Sequence, residues 1–123
     1  MRWLVDASNV IGSVPDGWWR DRDGATRRLI EDLRAFAHDT GDQVTVVLDA
    51  GPPELAGRED GVAVVLAPRR GRDAADAEIV RLLEADDAPG EVTVVTSDAA
   101  LADRVRALGA RVEGARTFRR RLG

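Results

Sequence analysis

Short apolar runs rich in β-branched residues alternate along this chain with apolar stripes at helical spacing, and that alternation constrains the architecture more than any other feature. The runs are Trp3 to Val5, Val44 to Leu48, Val62 to Leu66, Val92 to Val95, and a weaker one around Val112. Runs of this length read as strands buried on both faces. Between them, Leu29, Ile30, Leu33, Phe36 and Ala37 form a helical stripe that stops at Gly41 of "HDTG". Ala75, Ile79, Leu82 and Leu83 form a second, ended by Pro89-Gly90, and Leu101, Val105 and Leu108 a third, ended by Gly109. Strands alternating with helices predict a parallel, doubly wound sheet with helices on both faces. The piece from Gly51 to Asp60 is too short for a long crossover helix, so "PPELAG" is expected to make one or two helical turns. "GSVPDGWW", "GPPELAGREDG" and "APRRGRD" are the expected flexible segments, and the end, "TFRRRLG", is expected to be partly disordered. With 123 residues the chain reads as one domain, 1–123.

Composition removes several chemistries. There is no cysteine, which excludes thiol nucleophiles, iron–sulfur clusters and cysteine zinc sites. The single histidine, His38, is placed at the polar end of a helix, where a cation meets the negative end of the dipole. All 18 basic residues are arginine, and a Walker-type phosphate loop, a Schiff base, a phosphorelay and a haloacid-dehalogenase-type phosphatase each normally need a lysine. A net charge of −4 argues against general electrostatic binding to nucleic acid, although arginines cluster at 69–72 and 116–121. No stretch has transmembrane length and the first strand leaves no room for a signal peptide, so no membrane contact and a cytoplasmic location are expected.

Three of the apolar strands are followed by an acid: Asp6, Asp49 and Asp98. In a parallel sheet these strand ends share one edge, where ligands bind. A helix beginning "RDAADAEI" adds Asp73 and Asp76 to that edge, Asp76 at the border of the apolar stripe and Asp73 farther toward solvent. Asn9 is expected to join from the loop after Asp6. Four or five carboxylates in one pocket repel strongly unless protonated, solvated or bound to a cation. Oxygen ligands without histidine or thiolate favour Mg2+ or Mn2+, which commonly act on phosphate esters.

Each acid also has a structural alternative. Asp98 and Asp73 can cap the helices they precede, and Asp49 can serve a turn before Gly51-Pro52. Thr96 and Ser97 offer hydroxyls beside Asp98, Arg69, Arg70 and Arg72 can hold a backbone phosphate, and Trp18 and Trp19 can stack unpaired bases or simply pack. A dinucleotide-binding Rossmann reading is disfavoured, because "DASNVIGS" lacks the glycine pattern.

Taken in order, "LVDASNVIG", "VVLDAG", "RDAADAEIVRLL" and "VTVVTSDAALADRVRALGARV" resemble the motifs of the NYN domain family of PIN-like ribonucleases, most closely its YacP-like branch. The resemblance spans nearly the whole chain. It implies a three-layer α/β/α Rossmann-like sandwich around a mainly parallel five-stranded sheet, and a metal-dependent endoribonuclease that leaves a 5′-phosphate and a 3′-hydroxyl. It makes Asp6, Asp76 and Asp98 the metal-binding acids, with Asp73 and Asp49 as supporting catalytic acids and Asn9 as the amide that orients Asp6. The expected partner is RNA, with ribosome association an open alternative, and the protein itself is either a monomer or a homodimer. Two other readings of the same fold are a non-catalytic RNA-binding or ribosome-associated adaptor and a small-nucleotide phosphohydrolase.

Overall fold

A computed structural model of the chain describes residues 1–68, 71 and 73–123. Among them are six strands: β1 (Arg2–Asp6), β2 (Gln43–Leu48), β3 (Gly57–Glu59), β4 (Val62–Leu66), β5 (Val92–Val95) and β6 (Arg111–Glu113). The five α-helices of the described residues are α1 (Ala7–Gly12), α2 (Arg22–Thr40), α3 (Ala74–Glu84), α4 (Ala99–Ala107) and α5 (Ala115–Arg121). One sheet runs in the order β3-β4-β2-β1-β5-β6, parallel throughout except for the β3–β4 pair.

Alternate side chains of the central strands point to opposite faces of the sheet, and both faces are covered. Trp3, Val5, Val44, Val46 and Leu48 pack with Leu29, Leu33 and Phe36 of α2 and Phe118 of α5. Leu4, Val47, Val92 and Val94 pack with Ile79 and Leu83 of α3 and Leu101 and Val105 of α4. Apolar residues on both faces of the central strands therefore produce a three-layer sandwich, as the apolar runs predict.

Local signals set the helix ends as expected. Gly41 adopts φ 74° and donates its N–H to the Ala37 carbonyl at 2.9 Å, closing α2, and His38 sits exposed in the last turn. Pro53–Leu55 forms a single 3-10 turn.

Three features differ from the sequence reading. The sheet has the five expected strands and a sixth, β3, whose Gly57, Arg58 and Glu59 are all exposed and carry no apolar pattern. Asp60-Gly61, both at positive φ (53° and 81°), fold it back onto β4. Asn9 lies in a short helix, α1, where a loop was expected. The C-terminal segment is an ordered helix because Phe118 is completely buried, its ring centroid 5.0 Å from Trp3 and 5.5 Å from Phe36. Arg121 adds a forked pair with Glu113, at 2.7 and 2.8 Å, and lies over the Trp3 ring.

Phe118→Ala would leave a cavity in this three-ring cluster and is expected to cost about 3–5 kcal/mol, read as a lower urea midpoint. A variant within about 1 kcal/mol of wild type would mean that α5 contributes little to the core.

Candidate active site

From β1 the chain builds outward through β2 to β4 on one side, then returns to place β5 and β6 on the other. The crevice at such a reversal opens at the carboxyl ends of the two adjoining strands, here β1 and β5. Asp6 is the last residue of β1 and is 2% exposed; Thr96, Ser97 and Asp98 follow β5.

A chain of hydrogen bonds ties these strand ends together. The Asn9 side-chain amide donates to Asp6 Oδ2 at 2.5 Å, and the Thr96 hydroxyl donates to the same oxygen across a longer 3.4 Å. Asn9 Oδ1 accepts the Ser97 N–H at 3.1 Å, while Thr96 Oγ1 accepts the Asp98 N–H at 3.1 Å. Ser97 Oγ accepts the N–H of Ala115 at 3.0 Å, which fixes the start of α5. The α1 turn thus places Asn9 to bridge the first acid and the β5 loop.

Burial pushes the Asp6 carboxyl up to about 6, and the neighbouring charge of Asp76 adds to the shift against the opposing hydrogen bonds from Asn9 and Thr96. Asp76, half-buried in the first turn of α3, is also raised, first by desolvation and then by the charges of Asp98 and Asp73, with Arg104 opposing. Asp6, Asp76, Asp98 and Asp73 therefore form one electrostatically connected set. The structural alternatives are partly realised as well: the Asp98 side chain accepts the Leu101 N–H at 2.9 Å and caps α4, whereas Asp73 stands at the head of α3 without a side-chain cap bond.

Asp49 stands apart from that set. It follows β2, on the far side of β1 from β5, and lines a hollow of about 340 Å3 with Ser8, Ile11, Trp18 and Arg22. Trp18 and Trp19 meet edge to face, centroids 6.0 Å apart; Arg22 lies 5.3 Å over Trp18, and Trp19 is 53% exposed. Arg69, Arg70 and Arg72 lie outside the described residues. Sequence reasoning gave no role to Arg104, whose charge opposes the rise of Asp76, and noted Arg116 only within the arginine cluster at 116–121; Arg116 lines a hollow of about 390 Å3 with Ser8, Asn9 and Ser97. The position of Arg104, three residues after Leu101 on α4, gives no hint of the charge it meets; only the packing of α4 beside α3 does.

The YacP-like NYN domain matches residues 3–123. The chain belongs to the YacP-like NYN domain family. It is similar to the crystal structure of Rae1 (YacP) from Bacillus subtilis, at 26% identity and a TM-score of 0.80, over 99% of this chain and 73% of that one. The W164L mutant of that protein gives 24% identity and a TM-score of 0.77, over 99% and 74% of the two chains. No curated protein matches the sequence. The six-stranded, mostly parallel sheet flanked by helices is the PIN-like architecture of these relatives.

For this NYN domain the implied cofactor is a hard divalent cation. Among the described residues, no three His, Asp or Glu side chains come together as a ready coordinating group. The donors nevertheless suit such an ion, being oxygens only, with Asp6 and Asp76 each raised first by burial and then by the negative charge of neighbouring acids. Magnesium is ordinarily held by one or two carboxylates, with water and substrate phosphates filling its other positions, so a closed protein cage is not required.

Asp6 binds its proton more tightly in the folded chain than in the unfolded one. The associated stability is present below about pH 4 and is lost as pH rises through about 6, a difference of about 3 kcal/mol. In EDTA, Asp6→Asn is expected to be about 1–3 kcal/mol more stable than wild type at pH 8 and to lose that advantage at pH 4, as read by urea unfolding. Parallel pH profiles for the two proteins would show that Asp6 is not desolvated.

Proposed function

We propose that this chain is a metal-dependent endoribonuclease of the cytoplasm, cutting RNA phosphodiester bonds at the β1/β5 crevice. The observation that carries the reading is the buried Asp6, held by Asn9 and Thr96 and pressed by the charge of Asp76. A NYN-family chain with so desolvated an acid at the sheet's reversal point has the charge distribution of a cation-assisted phosphodiesterase.

In this reading Asp6, Asp76 and Asp98 hold Mg2+ or Mn2+, with Asp73 adding negative charge at the head of α3. When bound, the ion activates water and neutralises charge that develops on the phosphoryl oxygens. Asn9 keeps Asp6 in one orientation, since its other end is fixed by the Ser97 N–H. Thr96 shares in that positioning and Ser97 faces the substrate backbone. Arg69, Arg70 and Arg72 contribute phosphate contacts. Trp18 or Trp19 stacks an unpaired base, and Asp49, in the wall of the Trp18 hollow, meets the substrate there and not at the metal. Among the described residues no helix is long and apolar enough to cross a membrane.

The test is cleavage of a panel of single-stranded and folded RNAs with Mn2+, Mg2+ or EDTA, by wild type and by Asp98→Asn. Asparagine caps helices as well as aspartate does, so α4 should remain intact while the negative charge is lost. Metal-dependent cutting is expected from wild type, reduced at least 100-fold in the variant. RNA binding that persists in EDTA with no cutting under any condition would replace the nuclease reading with the adaptor. Mn2+ is also expected to raise the wild-type melting temperature by mass action, and to do so much less for Asp6→Asn; equal shifts would place the ion elsewhere.

A further inference from the structure

Beside the acids lies a hollow of opposite character. It holds about 390 Å3 and is lined by Ser8, Asn9, Gly12, Ser13, Ser97 and Arg116, with no carboxylate in its wall. Arg116 is the one charged side chain in that wall. Among the described residues Arg116 forms no ion pair or side-chain hydrogen bond, whereas its helix neighbours Arg119 and Arg121 are engaged with Asp32 and Glu113. At the opposite edge of the sheet a smaller hollow contains Arg2, but that guanidinium is already paired with Asp86 at 2.6 Å.

The hydrogen-bond ledger of the Arg116 hollow shows what it can still offer. Asn9 gives one amide N–H to Asp6 and its oxygen to the Ser97 N–H, which leaves its second N–H. The Ser13 hydroxyl is spent on the Val10 carbonyl at 2.6 Å. Ser97 Oγ accepts the Ala115 N–H, which leaves its own O–H hydrogen to donate outward. Ser8 is exposed, and among the described residues its hydroxyl has no partner. What remains is a set of donors: two hydroxyls, the second Asn9 N–H and the five N–H groups of a guanidinium. That set suits a tetrahedral oxyanion bearing several acceptor oxygens, and arginine binds phosphate in a two-pronged fashion.

We infer that this hollow is a subsite for a backbone phosphate of single-stranded RNA, gripped by Arg116 with Ser97 and Ser8, adjacent to the cleaved bond. The inference rests on the endoribonuclease reading. Its position follows from Asn9, a single side chain that forms part of the hollow's wall and also holds Asp6. Ser8 lines both this hollow and the one containing Trp18 and Asp49, so a strand crossing α1 passes from a base-stacking site to a phosphate site. Arg116 is then a substrate-positioning residue that lends the acidic edge of an acidic protein local affinity for a polyanion.

The experiment is binding of a fluorescein-labelled single-stranded oligoribonucleotide to the full chain in EDTA, by anisotropy, from 50 to 200 mM salt. Arg116 is exposed, and α5 is anchored by Ala115 and Phe118, so Arg116→Ala should fold normally. The variant is expected to bind about ten-fold more weakly at low salt. Its slope of log affinity against log salt should fall by about 0.7, the loss of one phosphate contact. Arg116→Lys should keep the slope and recover only part of the affinity, since an ammonium lacks the planar fork. Arg120→Ala, an exposed change on the same helix, should alter the slope by less than half as much. Equal effects at 116 and 120, or an unchanged slope in Arg116→Ala while wild type binds well, would overturn the subsite and leave the nuclease reading standing. A wild-type chain that neither binds nor cuts RNA would overturn both.

Discussion

The burial of one carboxylate at the end of the central strand is the constraint around which this edge of the molecule is organised. β1 is covered on both faces, so whatever ends it is also covered, and here the residue is Asp6. A buried acid costs several kcal/mol as an anion unless neighbours compensate it. Part of the compensation is visible: Asn9 and Thr96 both donate to one of its oxygens. It is incomplete, because Asp76 adds repulsion where a cation would add attraction. A chain selected for stability alone would place an apolar or amide residue at this position, so the retained charge is a sign of function bearing on an otherwise regular sandwich.

The same compensation explains the connections nearby. To reach Asp6, Asn9 must turn back toward the strand it has just left, and the first turn of α1 accomplishes this. Its other end then takes the Ser97 N–H, which joins β1 to β5 beyond the last pair of the sheet register. Ser97 in turn holds Ala115, and through it α5 and the Phe118 anchor. The acid site and the aromatic core are therefore mechanically continuous, and the ordering of the C-terminal helix belongs to the site as much as to the core.

Most of the sandwich was legible because burial on two faces leaves an unmistakable apolar run, as in Val44–Leu48 and Val92–Val95. The residues that escaped are those whose structure depends on something distant. β3 has no apolar residue and exists because Asp60-Gly61 turn it onto the edge of β4. α1 is too short and too rich in Ser, Asn and Gly to announce itself by propensity. α5 carries arginines that suggest a solvated tail, and its order comes from one buried phenylalanine. At the candidate site the strand-end rule brought Asp6, Asp76, Asp98 and Asp73 into one field. It put Asp49 on the correct edge but could not tell that β2 lies across β1 from the others. Strand order is a property of the whole sheet, and no local spacing records it.

The acids also show that structural and functional readings of one side chain need not compete. Asp98 caps α4 through one oxygen, accepting the Leu101 N–H, and the same carboxylate group still raises Asp76 through its charge. Capping fixes the rotamer, so the remaining oxygen has a defined direction without further cost in side-chain entropy. A cap at the head of a helix therefore holds a carboxylate in place without neutralising its charge, and the structural reading of "TSD" in the sequence does not conflict with the role proposed for Asp98. The same logic applies to Ser97, whose oxygen anchors α5 while its hydrogen stays available to the crevice. In a chain this short, positioning groups that also hold the fold together allow a crowded polar edge to remain ordered without disulfides.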